Sequence, residues 1–400
     1  MTSSSYANGS NGSNGSNGSN GSNGIYTTTT PNDWSDPSRP RILLTDSTPT
    51  FDATILKHLH EEGFQTLYLP FPSPPSPSTL KTYSTALTQL TDQLETSEKY
   101  AIIAYDTAAT YILTTHLLTP DPHLCATIAY SPTSLPPTPF PAQLNLTIHL
   151  PSSSPFGSAW PRTYRYPNTS ATFSLPSSSS YSAPESRVAY TRTLFTIHTG
   201  FNTLSARAPL LETLWDTHTA LEFADRDPAA TMQTMISQPY VNHTPTMTGG
   251  IGASDLTRFY THFFIPQNPP DMQLRLLSRT VGVDRVVDEM FISFTHDREV
   301  SWMLPGIPAT GKKVEIIVVA VVNLRGGLLC HEHIHWDQAS VLVQIGLLDV
   351  GLVPAGFRTV VEAERERVTR VPALGAEAAR KVVDEHDGQS NLLIPGWWRE

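Results

Sequence analysis

The sequence predicts two domains of different class. The first, over residues 39–200, is an α/β layer domain on a parallel sheet; the second, over residues 201–352, is an α+β cone in which three helices cover one face of a curved antiparallel sheet. From residue 39 to about 200, short apolar runs alternate strictly with amphipathic segments, the pattern of right-handed β–α–β crossovers. From residue 204 onward the helical segments come first and four long strand-like runs follow, which segregates helix from sheet. Composition marks the two ends. Residues Asn8 to Gly24 repeat Asn-Gly-Ser and have nothing to bury, so residues 1–38 read as a disordered tail. Residues 353–400 form a charged C-terminal extension with two plausible helices.

Within the first domain, RILLTDS (41–47) is a short apolar run and reads as a buried strand. Phe51, Ile55, Leu56, Leu59 and His60 recur at helical spacing, with Gly63 where a helix would end. FQTLYLPF resumes as strand, and the Pro/Ser-rich piece from Pro70 to Ser78 is a loop. A helix from Leu80 to Glu98, a strand from Tyr100 to Tyr105, a helix from Thr107 to Leu118 and a strand from Ala126 to Tyr130 follow. After the Pro-rich turn from Ser131 to Pro141 comes the strand LNLTIHL, then a polar Ser/Pro/Tyr stretch from Pro151 to Pro184 that can hold little core. The helix RVAYTRTLFTIHTGF closes the domain, with Val188, Thr191, Leu194, Phe195 and His198 along one side.

The second domain opens on a helix in which Leu204, Ala208, Leu211, Trp215, His218 and Leu221 form an apolar stripe. A short helix starts at Pro228, where the first turn tolerates proline. After YVNHTPTMTGG come a third helix (Ala253 to Phe264) and strands over 273–281, 285–296, 313–324 and 328–338.

The net charge of −10, without a basic run, argues against a nucleic-acid or anionic-membrane partner. No stretch approaches the ~20 apolar residues of a membrane span, and no secretory core opens the chain. Cys125 and Cys330 sit in separate apolar runs and read neither as a disulfide nor as a metal pair, so a soluble cytoplasmic protein is expected.

The most informative segment is the last strand, CHEHIHWD. Side chains alternate along a strand, so His331, His333, His335 and Asp337 share one face and Cys330, Glu332, Ile334 and Trp336 the other. A His/Asp pair inside an apolar pocket suits proton abstraction beside a carbonyl, because the carboxylate fixes the imidazole tautomer and raises its basicity. The same groups can instead satisfy one another structurally. Three imidazoles could bind zinc, but same-face neighbours lie ~6.6 to 7 Å apart, too far to converge easily, so no metal is assigned. His243 is a second candidate, or a loop histidine capping the turn before Pro245. Asp288 interrupts the apolar run RVVDEMFISF and requires a partner, for which a pocket histidine would serve. Trp302 and Met303 line the pocket or pack beneath it.

Residues 201 to about 350 resemble the SnoaL-like branch of the nuclear-transport-factor-2-like superfamily, on LWDTHTALEFADRD, YVNHTPTMTGG, FTHDREVSWMLPG with TGKKV, and EHIHWDQASVLVQIGLL. The resemblance implies a cone fold, a small apolar ligand, an acid/base aspartate at Asp337 and a homodimer formed through the outer sheet face. That face would carry Ile316 and Val318, or instead Val319. Residues 39 to about 200 resemble a dienelactone hydrolase (carboxymethylenebutenolidase) domain, an α/β-hydrolase relative. There the nucleophile elbow reads Ala104-Tyr105-Asp106-Thr107-Ala108 without its glycines, and Ala171-Thr172-Phe173 stands where the base histidine belongs. The acidic member would fall in Pro151 to Pro167, which contains no Asp or Glu. A hydrolase fold without hydrolase chemistry is therefore expected.

The functional expectation is a cofactor-independent isomerase, cyclase or lyase acting on an apolar carbonyl compound. Asp337, His333, His335, His243 and Asp288 would converge on one cavity. The rival is a non-catalytic ligand-binding or dimerisation protein with a pseudo-hydrolase scaffold, and third stands a lactone hydrolase.

Overall fold

The computed structural model describes residues 34, 36, 38–118, 121–136, 145–156, 162–353 and 370–394. The Asn-Gly-Ser tract, part of the Pro-rich turn at 131–141 and much of the C-terminal extension lie outside the described residues.

In the first domain the strands are β1 (Arg41–Thr45), β2 (Gln65–Tyr68), β3 (Tyr100–Tyr105), β4 (Leu124–Tyr130), β5 (Leu146–Pro151) and β6 (Thr163–Tyr166). They pair in the order β2-β1-β3-β4-β5-β6, and every pair is parallel. Helices α1 (Ala53–Glu61) and α4 (Ala183–Gly200) cover one face, while α2 (Pro77–Thr91) and α3 (Asp106–Leu118) cover the other. Both faces are therefore buried, and all six residues of β3 are inside. Alternation along the strands feeds two cores. Ile42, Leu44, Ala101 and Ile103 enter one, and Leu43, Tyr100, Ile102 and Ala104 enter the other.

Three details depart from expectation. Strand β6 lies inside the stretch taken to be coreless, as a four-residue edge strand ending on buried Tyr166. Helix α2 begins at Pro77, because Ser76 and Thr79 form a reciprocal capping box, and ends at Thr91. Helix α4 is rotated about its axis relative to the predicted stripe. Val188 and Phe195 are exposed, while Ala189, Thr193, Leu194 and Ile197 are buried. Small side chains bring that face close to the sheet, and its hydroxyls find partners there: Thr193 with Tyr130 at 2.8 Å and Thr196 with Thr147 at 2.6 Å.

The second domain holds β7 (Met235–His243), β8 (Thr248–Ile251), β9 (Gln273–Val281), β10 (Arg285–Thr295), β11 (Lys313–Arg325) and β12 (Leu328–Trp336), in the order β8-β7-β12-β11-β10-β9. The β9–β12 meander is antiparallel, but β7 joins β12 in parallel, so the sheet is mixed rather than antiparallel throughout. Register breaks at Glu289/Met290, Asn323/Leu324 and Leu329/His331 bend it. Its inner face packs on α5 (Leu204–Phe223) and on α7 (Ala253–Phe259), which continues through a π-helical turn, Tyr260–Phe264. The short helix α6 (Pro228–Gln233) feeds β7.

Ile316, Val318, Ala320 and Val322 point inward and are fully buried, so of the residues considered for the outer face only Val319 belongs to it, half-buried. Helix α8 (Gln338–Gln344) follows β12, and α9 (Ala376–Val383), from the C-terminal extension, packs against β11 with Arg380 paired to Glu315 at 2.8 Å. Among the described residues no helix is long and apolar enough to cross a membrane.

The domains meet where two turns of the cone dock on the first domain. Val283, between β9 and β10, inserts into the core that holds Ile55 and Leu59. Arg207 of α5 donates to the Val283 carbonyl and pairs with Glu62, and Arg325 reaches Glu61 at 3.1 Å. Gly326, at φ +59, approaches so closely that an added Cβ would stand 2.2 Å from the Glu61 carbonyl oxygen, whereas one on Gly327 would meet open space. A Gly326→Ala chain is therefore expected to open the domain contact and to lower the melting temperature with faster proteolysis at the junction. Gly327→Ala, which carries only backbone strain, should lower the melting temperature by less.

Candidate functional site

The curvature decides which face of β12 enters the cone. Inner-face residues must be apolar or internally paired because α5 and α7 exclude water from them. On β12 these residues are Glu332, Ile334 and Trp336, all buried. His331, His333 and His335 face outward, with His331 and His333 stacked at 6.3 Å and His335 exposed. Asp337 lies just past the strand, exposed, where its carboxylate accepts from the Ala339 N–H at 3.0 Å and caps α8. The predicted convergence of His333, His335 and Asp337 with His243 and Asp288 does not occur.

Asp288 does point inward, but its partners are not histidines. Arg279 holds it through two hydrogen bonds of 2.7 and 2.8 Å, and the Trp215 indole donates to it at 2.7 Å. It orients Trp215 from below. His243 lies inside the cone, 3 % exposed, with rings of Phe264, Trp302 and Trp336 centred 5.1 to 6.0 Å away. Burial pushes its pKa down to about 4. Its Nδ1 lies 3.2 Å from the Thr248 carbonyl, an acceptor only, so the neutral ring carries its hydrogen there and presents Nε2 as a base. Trp302 lines the cavity, and Met303 is fully buried in the core.

The centre that sequence reasoning missed is built on α5. Leu211, Trp215, His218 and Glu222 share its buried face, so His218 and Glu222 stand one turn apart. His218 Nε2 lies 3.1 Å from a Glu222 oxygen and 3.0 Å from a Glu332 oxygen, and none of the three is more than 3 % exposed. Its Nδ1 is 2.5 Å from Thr234 Oγ1, which donates its own hydrogen to the Thr231 carbonyl. That hydroxyl must accept, which fixes a hydrogen on Nδ1, and a second proton is then shared at Nε2. Burial opposes the imidazolium charge, yet the two carboxylates outweigh it and raise the His218 pKa to about 10. Burial also raises Glu222.

Tyr260 is buried beside both carboxylates without a well-formed hydrogen bond, and burial with their charge pushes its hydroxyl well above its ordinary range. The sequence signal was present, as a His-x-x-x-Glu pair inside an apolar stripe and a glutamate on the inner parity of β12. His218, Glu222 and Glu332 also offer ligand atoms within 4.8 Å of one another, the spacing of a metal site. The Thr234 contact would hold such an imidazole by its other nitrogen.

Glu222, Glu332 and His243 open on one cavity of about 30 Å³, walled by Trp215, Met290 and Trp302. That volume holds about two waters. In the first domain, Asp106 stands at φ 50 on the β3–α3 turn, and its hydrogen-bond partner is Thr107. Phe173 is fully buried. The interior histidine His149 has both nitrogens engaged, by Tyr166 and Thr193, and burial takes its pKa to about 3.

No family model and no curated protein matches this chain. Among solved structures it is similar to TsrD from Streptomyces laurentii, at 18% identity over 35% of this chain and 97% of that one, with a TM-score of 0.29. It is similar also to a candidate SnoaL-like polyketide cyclase from Jannaschia sp. CCS1, at 18% identity over 36% and 98% with a TM-score of 0.29. A third likeness, to TerC co-crystallized with polyporic acid, has 17% identity over 34% and 98% and a TM-score of 0.26. Each leaves the larger part of the chain unmatched.

The buried histidines set opposing pH limits. His58, His198, His243 and His331 are held near 4 and His149 near 3, so between their ordinary 6.5 and those values the unfolded chain binds protons that the folded chain refuses. Stability should fall as pH drops from 6.5 towards 4. His218, raised to about 10, contributes stability that is complete below 6.5 and lost as pH climbs through 10. Urea unfolding across pH should give a maximum near neutrality, and NMR should find His218 still an imidazolium at pH 8. A His218 that titrates near 6.5 would contradict the cluster geometry.

Proposed function

We propose that the cone binds a small apolar carbonyl compound and moves a proton on it, in the manner of the cofactor-independent isomerases, cyclases and lyases implied by the SnoaL-like resemblance. The single observation that carries this reading is the buried cluster of His218, Glu222 and Glu332, whose two carboxylates line a largely apolar cavity. One carboxylate there can take the proton from the carbon beside the carbonyl while the other, holding the proton shared within the cluster, supplies it to the developing oxyanion, so that no net proton is gained or lost. His243, which lines the same cavity, offers Nε2 as a second base.

The first domain then acts as a scaffold of hydrolase descent. The left-handed strand-to-helix turn at Asp106 supports that descent, since a nucleophile elbow has such a strained turn. With Asp106 bonded to Thr107 and His149 fully engaged, nothing joins the aspartate to a base among the described residues. Pairing of two chains through the outer sheet face belongs to the same proposal.

The alternative of a non-catalytic scaffold is favoured by one observation, the cone cavity of about 30 Å³, which must widen before it takes a substrate. Exchange of α-protons of small ketones and cyclic enones in D₂O, followed by NMR, separates the two. Glu332→Gln and Glu222→Gln should each slow exchange by about 10² to 10⁴-fold, whereas Asp337→Asn, which preserves a helix cap, should leave it unchanged. No exchange with any of these ketones, or exchange indifferent to both glutamates, would favour the scaffold.

A further inference from the structure

A larger cavity, of about 260 Å³, lies between the two domains, away from the cone interior. The first domain contributes His58 and Glu62 from the α1 end and Arg187 and Tyr190 from α4; the cone contributes Arg325 and the outward His331. Most of the charge here is already matched, with Glu62 held by Arg207 and Arg325 by Glu61. Another lining arginine, Arg285, is held by Asp284. Arg187 is exposed and makes no ion pair among the described residues, so the uncompensated charge in the cleft is positive.

Two buried polar atoms also face it without partners, Tyr190 Oη and Glu62 Oε1, and Glu62 is 9 % exposed. An orphaned buried acceptor and an orphaned phenol are costly unless something completes them. A ligand hydroxyl does both at once, donating to the carboxylate and accepting from the phenol, which burial keeps protonated. Ile55 and Leu324 supply apolar wall. A cavity of about 150 Å³ accepts benzene, so this one has room for a ring with substituents.

We propose that the interdomain cleft binds a small hydroxy-substituted organic acid, its carboxylate between Arg187 and His331 and its hydroxyl between Tyr190 and Glu62. The imidazoles suit this role. Burial first, and then neighbouring cations, hold His58 and His331 near 4, so both are neutral N–H donors that an arriving carboxylate would make easier to protonate. The site is independent of the cone chemistry and stands whether or not the cone turns over a substrate.

The experiment is calorimetric and NMR titration of the full-length chain with 4-hydroxybenzoate, benzoate and inorganic phosphate. Saturable binding of 4-hydroxybenzoate is expected at millimolar concentration or below, weaker binding of benzoate, and an upward shift of the His331 pKa in the complex. Arg187→Glu, at an exposed and unpaired position where folding is not at stake, should weaken 4-hydroxybenzoate binding by about tenfold or more. Tyr190→Phe should erase the preference for 4-hydroxybenzoate over benzoate. Absence of saturable binding, binding unaltered by Arg187→Glu, or phosphate bound as tightly as 4-hydroxybenzoate would overturn the proposal.

Discussion

A strand that packs one face on a core commits every second side chain to the interior, and β12 is where that constraint governs this protein. Glu332, Ile334 and Trp336 are inside, so a carboxylate is carried into the cone together with two apolar groups. An unpaired buried carboxylate is prohibitively unfavourable. Helix α5 answers it with His218, and Glu222 one turn further on leaves the cluster with two carboxylates for one imidazole. The cluster remains tolerable only because a proton is shared within it. Trp215, stacked on His218 at 5.8 Å, is itself fixed by Asp288 and Arg279. Core packing and acid–base capability are thus the same set of contacts.

The same parity determines the outside. The histidines of β12 face outward, and His331 becomes part of the domain junction. That junction is held by ion pairs, by Val283 inserted into the neighbouring core and by a glycine that lets two backbones touch. The two halves meet through these contacts, and the cleft they leave is lined from both sides. Polar groups there that find no protein partner belong to a surface that neither domain could build alone.

In the first domain the parallel sheet is packed with aromatic side chains at the β3–β5 centre. The β3–α3 turn holds Asp106 in the left-handed region, at φ 50. A ladder of rings runs across β3, β4 and β5, with Tyr105 on Tyr130 at 4.8 Å and Tyr130 on His149 at 4.3 Å. Such stacks stabilise by burial and ring–ring contact, while hydrogen bonds to Tyr166 and Thr193 occupy both His149 nitrogens.

Strand and helix periods fixed most of the architecture in advance. The alternation in residues 39–200, the helix stripe from Leu204 and the bounds of β9 to β12 follow from local burial patterns that need no knowledge of neighbours. Periodicity also grouped His331, His333 and His335 correctly on one face, but it could not say which face is concave, because curvature arises from bulges and from where α5 and α7 pack. For that reason alone the β12 side chain that enters the cone is Glu332 rather than His333 or His335. His218 and Glu222 were visible as a spacing yet read as core, since only the approach of a strand more than a hundred residues later supplies the second carboxylate. Strand β6 and β7's parallel pairing were likewise illegible, being weak local signals rescued by long-range hydrogen bonds. Local sequence determines what each segment can be, and tertiary contact decides which buried charges must share a proton.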